Sequence, residues 1–185
     1  MNSNMSSEMN SDTLATRVKS KIREIPDFPK PGINFYDITT LLADGEMFSE
    51  IIDHFVKRFE TKKIDKIIGI ESRGFIFAAA IAARMKIGFI TVRKPGKLPY
   101  IVEKISYQLE YGSDSLEIHQ DAIKANERVV IVDDVLATGG TARATAELVS
   151  RLGADIIELT FLSELSFLNG KEKIKNYPIY SVIEY

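Results

Sequence analysis

Residues 129–141 (VVIVDDVLATGGT) constrain this chain more than any other stretch. Four β-branched apolar residues run into two adjacent acids, and a short linker leads to a turn rich in glycine and hydroxyls. A continuous apolar run of that kind reads as a parallel strand covered on both faces. Residues 142–152 follow with helical periodicity and contain neither proline nor glycine. The unit is therefore strand, loop, helix. In open α/β sheets, the loop at a strand's carboxyl end is where ligands sit.

The turn, Ala137, Thr138, Gly139, Gly140 and Thr141, would aim backbone N–H groups, two hydroxyls and a helix N-terminus at one point. That suits a phosphate. Asp133 and Asp134 beside an anion site are reasonable if the ligand also carries hydroxyls or a metal ion, as a ribose 5-phosphate does. A Walker A loop is excluded because no lysine precedes Thr141. A dinucleotide fingerprint is excluded because the acids stand just before the glycines, not about 20 residues after them. Alone, the acids could simply end a strand and the glycines make a tight turn. The complete strand–DD–x3–TGGT–helix pattern resembles the 5-phosphoribosyl-1-pyrophosphate (PRPP) motif of the type I phosphoribosyltransferases.

A length of 185 residues suits one domain. Twenty-four basic against 26 acidic residues give no reason to expect nucleic acid or membrane as a partner. The chain has no cysteine, which excludes disulfides and thiolate–zinc sites and fits a reducing cytoplasm. Residues 1–10 are polar, lack a signal peptide's apolar core and are expected to be disordered. No apolar run approaches membrane-spanning length.

Leu14, Val18, Ile22 and Ile25 predict a helix capped by Ser11 and Asp12 and ended by Pro26. Residues 26–36 read as an ordered loop. Phe48, Ile51, Ile52, Phe55, Val56 and Phe59 form a helical stripe. A strand is expected at 66–71, a helix at 74–86 and a strand at 87–93. Residues 94–103 break the pattern and read as mobile. Ile105, Tyr107, Leu109 and Tyr111 alternate, Gly112 and Ser113 turn, and Leu116 and Ile118 resume, which predicts a β-hairpin. Strands at 156–162 and 179–183 complete an α/β fold: a mainly parallel sheet with helices on both faces. The expected organisation is a single domain over 1–185. Residues 11–40 form a small hood, and 41–185 form the core, including a flexible hairpin lid at 93–112.

Three further segments carry chemistry. In residues 71–75 (ESRGF), Arg73 at the sheet's carboxyl edge would face the crevice, and Gly74 opens a helix whose N-terminus favours an anion. Taken by itself, that segment is better explained as an ordinary helix start with a surface ion pair. Residues 93–99 (RKPGKLP) pack three cations into a lid-like loop, or into a solvated connection. Glu110 lies between Leu109 and Tyr111, where it could act as a general base or merely face solvent from a strand. His54 and His119 lack partner motifs and read as structural.

Together with residues 28–39 (FPKPGINFYDIT) and 106–112 (SYQLEYG), these segments resemble the adenine phosphoribosyltransferases, from about Ile22 to the C-terminus. The resemblance implies transfer of the phosphoribosyl group from PRPP to adenine, giving AMP and pyrophosphate, with Mg²⁺ carried on PRPP and no metal held directly by the chain. It assigns residues 137–141 to the 5′-phosphate, and Asp133 and Asp134 to the ribose hydroxyls. Ser72, Arg73, Gly74, Arg93, Lys94 and Lys97 are assigned to pyrophosphate. Glu110 takes the catalytic carboxylate's position, with Tyr111 beside it in the lid. Phe35 would stack on adenine, and the Ile33 and Asn34 backbone would read its edge. Tyr36 stands where the family commonly carries arginine. The resemblance also implies a homodimer.

Ala137 bears on base choice, because 6-oxopurine relatives resemble DTG rather than ATG there. An apolar residue argues against hypoxanthine and guanine. Two rivals remain: a phosphoribosyltransferase for another base, and a non-catalytic PRPP or purine sensor. A DNA-binding regulator would need an added module, and the roughly 25 residues before Pro26 are too few and not strongly basic.

Overall fold

The computed structural model describes residues 13–108 and 113–185, except for the Gln108 side chain. Ser11, Asp12, Leu109, Glu110, Tyr111 and Gly112 therefore lie outside the described residues. Two compact units emerge, Met1–Phe48 and Ser49–Tyr185. The first runs past the expected hood edge at residue 40.

The first unit begins with helix α1 (Leu14–Lys21), whose N-cap is Thr13; its hydroxyl accepts from the Thr16 N–H at 3.3 Å. The helix ends earlier than its periodicity suggests. Ile25 continues the helical spacing, yet strand β1 (Arg23–Ile25) pairs antiparallel with β2 (Phe35–Asp37), placing Ile25 opposite Phe35 and Glu24 opposite Tyr36. Backbone partners supplied from ten residues downstream override the local pattern. The Asp37 carboxylate accepts from the Thr39 N–H at 2.9 Å where helix α2 (Thr39–Leu42) starts. Helix α3 (Gly45–Phe59) carries the predicted stripe into the second unit, burying Ile51, Phe55 and Phe59.

The second unit is a five-stranded parallel sheet. Strand β3 (Lys66–Ile70) leads through helix α4 (Gly74–Met85) to β4 (Gly88–Val92). An antiparallel hairpin follows, β5 (Val102–Gln108) with β6 (Ser113–His119). Then come β7 (Arg128–Leu136), helix α5 (Gly140–Arg151), β8 (Asp155–Glu164), two 3₁₀ turns and β9 (Ile179–Glu184). The sheet order is β4-β3-β7-β8-β9. Val129, Val130, Ile131 and Val132 are fully buried, as a central strand covered on both faces requires. Alternation sends Ile68, Val129, Ile131, Leu159 and Phe161 to a core shared with α5 and with hairpin residues Ile105, Tyr107, Leu116 and Ile118. The hairpin's stem is thus anchored in the core. Its expected tip falls on residues 109–112.

On the sheet's other face, α3 meets a buried carboxylate. Glu158 accepts two hydrogen bonds from Arg58 (2.7 and 2.9 Å), one from Lys62 (2.5 Å) and one from Thr160 (2.9 Å). The Arg58 guanidinium also stacks 3.7 Å from the Tyr180 ring centre, and the Tyr180 hydroxyl lies 2.5 Å from His54 Nε2. Burial pushes Glu158 up, but the three donors outweigh it and hold its pKa below the usual carboxylate value. A depressed carboxylate contributes stability above its unfolded pKa and loses it as pH falls through the folded value. Arg58→Met leaves Glu158 with one cation and should cost roughly 3 kcal/mol, measured as a lower urea midpoint at neutral pH. The loss should shrink as acid protonates Glu158; a midpoint unchanged at neutral pH would contradict this role.

Candidate active site

The chain reverses its strand order beside β3. It moves to β4 on one side, then returns through the hairpin to β7 on the other. A crevice opens outside the carboxyl ends at such a switch point. The segment 71–75 leaves the sheet there, beside the end of β7 and the loop 137–141 that follows it. Segment and strand meet closely enough that a Cβ on Gly74 would lie 2.7 Å from Asp133 Oδ1 and 2.8 Å from the Val132 carbonyl oxygen. Only glycine lets the start of α4 approach β7 this far.

β7 continues through both acids to Leu136, farther than the apolar run implies. The ten-residue β8 supplies ladder partners throughout: Asp133 pairs with Phe161, Val135 with Ser163 and Leu136 with Glu164. Being consecutive in a strand, the two acids are directed to different surroundings. Asp133 is partly exposed and, with residues 135–142, lines a cavity of about 150 Å³. Asp134 is buried, and its carboxylate meets Arg73 Nε at 2.8 Å. Burial and the adjacent Asp134 raise Asp133 well above the usual carboxylate range. Burial raises Asp134 too, while Arg73 opposes it.

The other wall of the cavity is the loop Ala137–Thr138–Gly139–Gly140–Thr141. Gly139 caps α5 at φ +75°, a conformation glycine adopts without strain, and no side chain caps the helix. The first N–H groups of α5 are left to point outward with the positive end of the helix dipole. An anion cradle and a carboxylate thus share one small cavity, as the sequence suggests for a phosphate bearing nearby hydroxyls. Tyr107 from β5 closes in over this loop, its hydroxyl 3.2 Å from Thr141 Oγ1.

The expected pyrophosphate cations come with partners that the sequence reading did not identify. Glu71, 11% exposed at its side chain, accepts from Arg93 Nε (3.2 Å) and the Lys94 N–H (3.0 Å) and pairs with Lys97 (3.1 Å). Lys94 Nζ pairs with Asp114. Glu117, buried, accepts from the Gly96 N–H at 2.9 Å. The segment read as mobile is therefore tied down at its start. Burial raises Glu71, but the three donors outweigh it and leave its pKa below the usual value. Glu71 stands in the sequence ESRGF, and Glu117 lies between buried Leu116 and Ile118. Those were the available signals. The Glu71–Ser72 peptide is cis, and Ser72 links Glu71 to Arg73 and Gly74 at the mouth of the crevice.

The base-reading candidates belong to the first unit. Phe35 packs edge-on against Phe28 with ring centres 5.2 Å apart, and the Asn34 amide donates to Glu24 at 2.9 Å. The Ile33 carbonyl accepts from the Phe28 N–H at 3.1 Å, and the Ile33 N–H donates to the Lys30 carbonyl at 3.3 Å. Both Ile33 backbone groups are thus already engaged in the hood's own turn. Tyr36 sits in β2. Glu110 and Tyr111, the expected catalytic pair, are outside the described residues.

A pH dependence follows from Asp133. Ribose hydroxyls, which the sequence reading assigns to Asp133, would donate to its ionised carboxylate and so lower its raised pKa on binding. Affinity for ribose 5-phosphate should be greatest above the raised value and fall as pH drops through it, with protons released on binding. Calorimetry in buffers of different ionisation heat measures that release. It should be smaller in Asp133→Asn, and equal release in both proteins would remove Asp133 from contact with the ribose.

Residues 37–183 match the phosphoribosyl transferase domain family. An adenine phosphoribosyltransferase of Christiangramia forsetii is 54% identical over 168 residues, covering 91% of this chain and 98% of that protein. The crystal structure of adenine phosphoribosyltransferase from Thermoanaerobacter pseudethanolicus superposes with a TM-score of 0.89 at 51% identity, covering 94% of this chain and all of the other. The Saccharomyces cerevisiae enzyme, solved with an imino-altritol bisphosphate and adenine, gives 0.87 at 42% identity over 91% of this chain and 98% of its own. With the switch-point crevice, the phosphate cradle and this likeness along nearly its whole length, the chain belongs to the adenine phosphoribosyltransferases of the phosphoribosyl transferase domain family.

Proposed function

We propose that this protein is a purine-salvage enzyme that transfers the 5-phosphoribosyl group from PRPP to adenine, forming AMP and pyrophosphate. The observation that carries the reading is the single cavity in which Asp133 faces the N-terminal N–H groups of α5. A sugar phosphate needs both. In this reading, residues 137–141 hold the 5′-phosphate and Asp133 accepts from the ribose hydroxyls. Asp134 fixes Arg73, which with Ser72 and the Gly74 helix start faces the pyrophosphate.

Glycosyl transfer at C1′ builds positive charge on the sugar while pyrophosphate departs. Arg93, Lys94 and Lys97 would supply positive charge for the leaving group, exchanging their carboxylate partners for phosphate oxygens. Those partners hold the cations in position beforehand, which limits the reorganisation needed on binding. Glu110 would accept or share a proton of the purine ring. Closure of residues 93–112 would exclude water. In the hood, Phe35 would stack on the base, leaving Asn34 as the main backbone reader because Ile33 is engaged.

The family resemblance implies a magnesium ion that arrives on PRPP. Magnesium is commonly bound through one or two carboxylates plus substrate phosphates. When bound, it neutralises charge on the pyrophosphate. The assembly implied by the family resemblance is a homodimer. No described helix is long and apolar enough to cross a membrane, and the absence of cysteine favours a cytoplasmic setting.

Pyrophosphate release should be rapid with Mg²⁺, PRPP and adenine, and slight with hypoxanthine or guanine, since Ala137 offers no acid to a 6-oxopurine. Preference for hypoxanthine would overturn the base assignment. Glu110→Ala should lower kcat by roughly 10²–10⁴ with folding intact, the usual scale for a general acid–base group. Unchanged turnover would exclude Glu110 from the proton step.

A further inference from the structure

The phosphate loop rests on a segment some thirty residues downstream that carries no recognised motif. A Cβ on Gly139 would collide with the Gly170 carbonyl oxygen and lie 3.0 Å from its carbonyl carbon. Conversely, a Cβ on Gly170 would collide with the Ala137 carbonyl oxygen and lie 3.0 Å from the Gly139 nitrogen. The two backbones mesh glycine to glycine. Gly170 opens the 3₁₀ turn Gly170–Lys173, and its neighbour Lys171 anchors that turn to the sheet. Lys171 Nζ lies 2.6 Å from Glu164 and 2.9 Å from Glu184, the last residues of β8 and β9. The Glu164 side chain is only 4% exposed, and Glu164 pairs in register with Leu136, the residue immediately before the loop.

We propose that Gly170 and Lys171 are positioning residues for the 5′-phosphate loop. Lys171 clamps the turn to the carboxyl ends of β8 and β9, and the Gly170 backbone then fixes Ala137 to Gly139 from behind. Neither touches the substrate. A loop that recognises phosphate through backbone N–H groups must hold one conformation, and a glycine-rich loop loses the most freedom in doing so. A rigid backing meets that cost before the ligand arrives. The inference rests on the assignment of residues 137–141 to the 5′-phosphate and names what keeps that loop in shape. Gly170 is not in the left-handed region, so a methyl group there strains the contact with the loop rather than its own backbone.

The test uses the full chain with Gly170→Ala, Lys171→Met and Lys171→Arg. It follows KM for PRPP and for adenine, kcat, ribose 5-phosphate affinity by calorimetry, and thermal unfolding. Gly170→Ala and Lys171→Met should raise the PRPP KM and the ribose 5-phosphate Kd about 10- to 100-fold, the scale of a small misplacement of binding groups. The adenine KM should stay unchanged, and Lys171→Arg should recover most of the affinity by keeping a cation between the two carboxylates. Wild-type protein that fails to bind ribose 5-phosphate would overturn the phosphate-loop assignment itself. Wild-type binding with an unaffected Gly170→Ala would overturn the buttress alone. So would equal losses in Lys171→Met and Lys171→Arg, or a parallel rise in both KM values that tracks a lower melting temperature.

Discussion

The close approach of α4 to β7 at Gly74 is the contact on which the site depends. With a side chain there, the helix start would have to retreat from Asp133 and the Val132 carbonyl. The segment carrying Arg73 would then move away from the phosphate loop. Because β3 and β7 are neighbours in the sheet while their following helices diverge, that contact also defines the crevice. A site that must grip one ligand by its phosphate, its ribose and its leaving group needs three groups of residues converging from different loops. The switch point brings two of them together through backbone pairing alone.

Charge is the second organising theme. Asp133 is held in surroundings that disfavour its ionised form, so hydroxyl donors gain more from reaching it than from reaching a solvated carboxylate. The cations follow the opposite logic. Glu71 collects Arg93, Lys97 and the Lys94 N–H, while Asp114 takes the Lys94 ammonium. The two carboxylates thus offset the repulsion among three neighbouring cations. In the proposed reaction, a phosphate chain would compete with these carboxylates for donors that are already oriented.

Much of this was legible in the chain before its fold was known. Strand β7, helix α5 and the parallel sheet follow from apolar run lengths and helical spacing, which are local properties. The loop from Ala137 to Thr141 could be read as a candidate anion site because it is one contiguous segment. The failures involve partners distant in sequence. Ile25 fits a helix until Phe35 offers it a strand, and the apolar run understates β7 because β8 extends the pairing through the acids. Glu71 gained its role when β4 paired beside β3, and Glu117 and Asp114 gained theirs when the hairpin folded back onto the segment that follows β4. Gly170 looks like an ordinary turn residue until Gly139 is placed against it. The reach of the hood over the base and the role of Glu110 remain part of the functional proposal.

The most direct measurement of the central claim is a crystal structure of the protein soaked with ribose 5-phosphate. The 5′-phosphate should lie against the N–H groups at the start of α5, within residues 137–141, with a ribose hydroxyl donating to Asp133. A phosphate bound instead among Arg93, Lys94 and Lys97, with the ribose turned away from Asp133, would contradict the account.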